Sequence, residues 1–178
     1  MLSMLKTGLP AGCILILMLF CSQQPSGPLE TYTPSIYFAG YVNNDYDSLP
    51  GNRWYPNVCS LKGDTIRIFM YSQDYKIENR IWTGDFMRID IYPNTSDSLI
   101  ETGDILFHFA RYHQINATYN VLPEDSLDPY RTIQIRISNL QRRHGGRIDL
   151  DGIYVRTQPV VGGDLMIIKN GHIEGTIQ

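Results

Sequence analysis

The sequence predicts an all-β chain folded as an antiparallel β-sandwich of immunoglobulin-like or jelly-roll-like kind, with eight or nine strands. Three observations predict it. From Ser35 onward, apolar and polar residues alternate with period two in run after run. The breaks between runs carry Gly, Pro, Asn and Asp, as in Leu49-Pro50-Gly51-Asn52 and Gly162-Gly163. No long stretch carries the apolar stripe of an amphipathic helix. An up-and-down β-barrel is the alternative, because strand spacing alone does not separate one closed sheet from two packed ones.

Strands are expected near 35–42, 53–59, 64–71, 85–92, 104–110, 131–138, 147–156, 164–169 and 172–177. Ile66, Ile68 and Met70 share a face opposite Arg67, and Met87, Ile89 and Ile91 share one opposite Arg88 and Asp90. Ile105, Phe107 and Phe109 alternate with Leu106 and His108. Ile133, Ile135 and Ile137 alternate with Thr132, Gln134 and Arg136. Gly152, inside a long run, predicts a bulge or bend. Asn170-Gly171 between two apolar-rich runs predicts a two-residue hairpin, whose type I′ turn needs positive φ at both central positions.

Composition narrows the function classes. Of 178 residues, 43 % are hydrophobic and 19 % charged, with a formal net charge of -3. That balance excludes a disordered acidic chain, a polytopic membrane protein and a basic nucleic-acid binder. Cys13, Cys21 and Cys59 are the three cysteines. With the first two near the N-terminus, Cys59 is alone in the body and reads as a small buried side chain without a disulfide.

Residues 1–20 read as a segment separate from the fold. Lys6 is their one charged side chain, and the run from Ala11 to Phe20 is apolar. Ten residues are too few to span a bilayer as a helix, which takes about 20, but they match the apolar region of a signal peptide. Cys21 and Ser22 follow, then the polar stretch Gln23-Gln24-Pro25-Ser26-Gly27-Pro28. This arrangement resembles the export signal of bacterial lipoproteins. The chain has Met18 and Phe20 where that family prefers Leu and a small residue. The resemblance implies that Cys21 receives the lipids, palmitate among them, and becomes the mature N-terminus. It also implies a signal peptide over 1–20, a flexible tether over 21–34, one domain over 35–178, and an address in the bacterial cell envelope, periplasmic or surface-exposed. The membrane is then a partner through the lipid anchor, and two or more acyl chains make such an anchor stable.

Chemistry-bearing patterns are sparse. Asp149-Leu150-Asp151-Gly152 puts two carboxylates on one strand face, but a calcium loop also needs a third ligand before the Gly and a distal Glu. The same pair is the candidate for a carbohydrate-active hydrolase, which works with two carboxylates across a cleft. His108, His113, His144 and His172 form no H-E-x-x-H or other ligand spacing, so neither a metal nor a cofactor is expected. A G-x-S-x-G elbow and phosphate-cradling glycine motifs are missing as well.

Two groups are candidates for ligand binding. Arg142 and Arg143 stand in the basic turn Gln141–Arg147, where guanidinium groups can grip a carboxylate or phosphate. Trp54 and Tyr55 adjoin Arg53, while Trp82 and Tyr112 follow Arg80 and Arg111. Aromatics beside polar groups stack on sugar rings or peptides, or else fill a core. The expected function is a non-catalytic binding or structural sandwich on an envelope-anchored lipoprotein, with a carbohydrate or protein partner and no nucleic acid. The alternatives are a barrel holding a small ligand and the hydrolase using Asp149 and Asp151.

Overall fold

Alternation of this kind drives one face of each strand out of water, and two such faces must then close on each other. The computed structural model describes residues 34–178, except 94, 96–97 and 113–115, and shows that closure. The expected signal peptide, the tether up to residue 33, Cys13, Cys21 and His113 lie outside the described residues.

The strands are β1 (Ile36–Val42), β2 (Asp45–Leu49), β3 (Val58–Lys62), β4 (Thr65–Tyr71), β5 (Lys76–Glu78), β6 (Ile81–Thr83) and β7 (Asp85–Ile91). They continue as β8 (Leu99–Glu101), β9 (Ile105–Tyr112), β10 (Asn116–Val121), β11 (Thr132–Leu140), β12 (Arg147–Thr157), β13 (Pro159–Val161) and β14 (Met166–Thr176). One sheet runs β2-β1-β14-β12-β11-β8 and the other β13-β10-β9-β7-β4-β3, with β5 and β6 as a separate ribbon. All pairings are antiparallel and neither sheet closes on itself, so the molecule is a sandwich and not the alternative barrel. Among the described residues there is no α-helix, only the 3-10 turns Thr102–Asp104 and Pro123–Leu127.

The core lies between the sheets. Ile66, Ile68 and Met70 of β4, Met87, Ile89 and Ile91 of β7, and Phe107 and Phe109 of β9 are all buried. Facing them are Ile36 and Phe38 of β1, Ile133 and Ile135 of β11, Ile148 and Leu150 of β12, and Ile168 and Ile173 of β14. Each such side chain contributes roughly 1.5–3 kcal/mol by leaving water. Cys59 is buried in the same core, and burial pushes its thiol up to about 12.

Two expectations fail. Residues 164–177 do not form a hairpin: β14 runs unbroken through Asn170-Gly171 and pairs with β1 on one side and β12 on the other. Asn170 alone has positive φ (51°), so the pair makes a bulge where a type I′ turn needs two such residues. Close packing explains the need for glycine here, since a Cβ on Gly171 would stand 2.8 Å from Cβ of Ile153 and 2.9 Å from Cε2 of Phe38. The second failure is the strand near 53–59, which begins only at Val58, so Trp54 and Tyr55 belong to the preceding loop. A true two-residue hairpin stands elsewhere, at Asn43-Asn44 between β1 and β2, where both φ values are positive. The bulge expected at Gly152 is present: its φ is 57° and the β12–β14 register shifts between Leu150 and Ile153.

Candidate functional site

Outward-facing aromatics gather at one end of the β3–β4–β7–β9 sheet. In the loop before β3, Asn52 Oδ1 accepts hydrogen bonds from the Trp54 and Tyr55 amides, each at 2.9 Å, which folds the loop back. Asn52 Nδ2 also donates to the carbonyls of Gln73 and Tyr75, tying this loop to the segment before β5. The Tyr55 ring lies 4.9 Å from Tyr75, Tyr75 lies 6.3 Å from Trp82 on β6, and Trp82 lies 6.0 Å from Tyr112 at the end of β9. Tyr71 and Phe86 join from the outer faces of β4 and β7, 4.7 Å and 6.4 Å from Tyr75.

Tyr75 is the hub of this platform. It is 3 % exposed, whereas Trp82 is 47 % and Trp54 81 % exposed. Burial, with Tyr71, Tyr112 and Tyr55 close by, raises the Tyr75 phenol well above its ordinary value, so it stays protonated. Beneath the platform, Arg111 Nη2 binds Asp85 of β7 at 3.0 Å and Asp47 of β2 at 2.6 Å, joining the two sheets.

The structure therefore brings Tyr55, Trp82 and Tyr112 together through a tyrosine that the sequence reading passed over. Trp54 precedes Tyr55 in the same loop, with the Arg53 guanidinium 5.6 Å from its ring. A signal for Tyr71 and Phe86 was present, because they share strand parity with Arg67 and Arg88 and so point outward.

Arg142 and Arg143 do not join this group. Arg142 donates to the carbonyls of Asp64 and Tyr92, at the opposite ends of β4 and β7, and Arg143 reaches the side chain of Gln141. The six residues of β4 in between correspond to about 20 Å of strand. Arg142 serves to pin its turn to the sheet. His108 bonds Asn120 across β9 and β10 at 2.6 Å, and exposed His144 meets the Gln178 carbonyl.

On the outer face of the other sheet a polar cluster forms that the spacing of the sequence does not reveal. Asp149 and Asp151 share that face of β12, as expected, and His172 of the neighbouring β14 comes to them. His172 Nδ1 lies 2.6 Å from Asp151 Oδ1 and 3.9 Å from Asp149 Oδ1, while Nε2 lies 3.4 Å from Glu174. Ser138 of β11 donates to Asp151 Oδ2 at 2.5 Å. The Ser138 and His172 hydrogen bonds hold Asp151 below the usual carboxylate range. Desolvation works to lower the His172 pKa, but its hydrogen bonds to Asp151 and Glu174 outweigh that and raise it. A depression lined by Ser98, Arg136, Ser138, Asn170 and His172 opens beside the cluster, where the Gly152 and Asn170 bulges interrupt the pleat.

Fold and surface together define an open antiparallel β-sandwich bearing an aromatic platform on one sheet and a carboxylate–imidazole cluster on the other. No protein-family model, curated protein or solved structure matches the chain.

Proposed function

We propose that this chain is a non-catalytic, envelope-anchored lipoprotein whose sandwich binds a carbohydrate through the Tyr55–Tyr75–Trp82–Tyr112 platform. The observation that carries the reading is the partial exposure of Trp82 over a buried tyrosine hub. Rings seated on a buried tyrosine offer flat apolar faces, which suit the faces of sugar rings. The anchor rests on the sequence of residues 1–28, with Cys21 as the lipidated position. Among the described residues no helix is long and apolar enough to cross a membrane.

A hydrolase using Asp149 and Asp151 fits less well. A general acid needs a raised pKa, and that of Asp151 moves the opposite way.

Two experiments test the proposal. Cells expressing the chain are labelled with an alkyne fatty acid, and Cys21→Ala is expected to abolish incorporation; label that survives the substitution removes the anchor. A glycan and peptide array probed with the chain is expected to show glycan binding that Trp82→Ala weakens at least tenfold. Binding to peptides alone, or glycan binding indifferent to Trp82, overturns the carbohydrate assignment.

A further inference from the structure

The cluster on the β12–β14 face has an organisation that ion pairing alone does not require. Three of its atoms converge: Asp149 Oδ1, Asp151 Oδ1 and His172 Nδ1 all lie within 4.8 Å of one another. The second polar atom of each of these side chains is held from outside. Arg147 stands 3.6 Å from Asp149 Oδ2, Ser138 donates to Asp151 Oδ2, and Glu174 faces His172 Nε2 at 3.4 Å.

Asp149 Oδ1 is shielded from solvent yet makes no hydrogen bond; the nearest group to which it is paired is His172 Nδ1 at 3.9 Å. A buried carboxylate oxygen without a donor is costly. It points to a cation that completes it. The outside partners match what orients metal ligands, an imidazole whose far N–H faces a carboxylate above all.

We propose that Asp149, Asp151 and His172 form a binding site for one divalent transition-metal cation of the zinc type. Two carboxylate oxygens and an imidazole nitrogen suit such a cation, whereas calcium takes six to eight oxygens. Ligands around tetrahedral zinc stand about 3.3 Å apart, given bond lengths of about 2.0–2.1 Å. The observed 2.6 and 3.9 Å separations bracket that value, so small side-chain rotations close the site. The cation replaces the proton between His172 Nδ1 and Asp151 Oδ1, which passes to solvent. Water from the adjoining depression fills the remaining position, as in zinc sites with three protein ligands. β12 and β14 are neighbours over most of their length, so the ligands stand on a rigid base. The sequence conceals this set because it does not state which strands pair: the register that sets Asp149 opposite Glu174 and Leu150 opposite Ile173 brings His172 across from Asp151. The site is on the sheet opposite the aromatic platform and stands or falls independently of it.

The test is calorimetric titration of the full chain, in detergent and with its accessible thiols capped, with zinc chloride near neutral pH. One equivalent is expected to bind and to raise Tm. His172→Ala and Asp151→Asn are expected to weaken binding at least tenfold, and Glu174→Gln by about tenfold. His144→Ala, a histidine outside the cluster, should bind as the parent does. Asp151→Asn keeps the shape of the side chain, and unchanged circular dichroism in it separates ligand loss from misfolding. Failure of the parent chain to bind one equivalent overturns the site. So does undiminished binding in folded Asp151→Asn or His172→Ala.

Discussion

Gly171 shows how a single missing side chain shapes the face of a sheet. Its backbone lies against Phe38 and Ile153, with no space for a Cβ. Gly171→Ala is expected to cost about 1–3 kcal/mol by overpacking, read as a lower midpoint in urea unfolding; an unchanged midpoint contradicts the packing described. Asp90 is the complementary case, a nearly buried carboxylate between Arg67 and Arg88 at 2.8 and 2.6 Å. Burial alone raises its pKa, but hydrogen bonds and charge from the two arginines prevail and hold it below the ordinary 3.8. A carboxylate lowered by folding contributes fully above its unfolded pKa and loses that contribution as pH falls through its folded value. Asp90→Asn is therefore expected to lower Tm near neutral pH and to flatten the decline of Tm below about pH 4. A decline as steep as the parent's, in a series of melts from neutral to acid pH, refutes this role.

Elements are joined by polar clamps as well as by the core. Asn57, 1 % exposed, donates from Nδ2 to the Ile36 and Leu49 carbonyls at 2.8 and 2.6 Å and accepts the Tyr71 amide at 2.8 Å. It thus ties β1 and β2 of one sheet to β4 of the other. Asn57→Leu removes the partner of two buried carbonyls and one half-buried amide and is expected to cost about 3 kcal/mol. Equilibrium unfolding checks it, and a loss below about 0.5 kcal/mol shows the clamp to be dispensable. Strands buried on one face were legible at this scale: β4, β7, β9, β11 and β12 all follow their alternation. β2 was not, because only Leu49 at its end is buried, and β5 has no buried residue at all. Pairing makes such strands, and their own composition carries little of it. The hairpin signal of Asn170-Gly171 misled for a related reason. As an inner strand, β14 satisfies its backbone groups on both sides, and a turn there would surrender those bonds.

The whole molecule distributes its stability unevenly. β12 and β14 are inner strands of one sheet and β7 of the other, whereas the β5–β6 ribbon is two strands with mostly exposed side chains. Hydrogen exchange is expected to be slowest in β7, β12 and β14, and faster by orders of magnitude in β5 and β6. Uniform protection across both sets refutes a ribbon that opens by itself. Trp82 rides on that ribbon, so its face of the platform can adjust to a ligand while Tyr75 stays buried.

From the sequence alone came the all-β class, the core-facing residues of β4, β7, β9 and β11, and the shared face of Asp149 and Asp151. Period-two patterning states which side chains leave water, and that is a local property. The tertiary structure alone decided the open sandwich, the gathering of Tyr55, Trp82 and Tyr112 around Tyr75, the separation of Arg142 and Arg143 from them, and the meeting of His172 with the two aspartates. Those depend on strand order, on register and on bulges, which are set by which backbones pair and how closely glycine lets them approach.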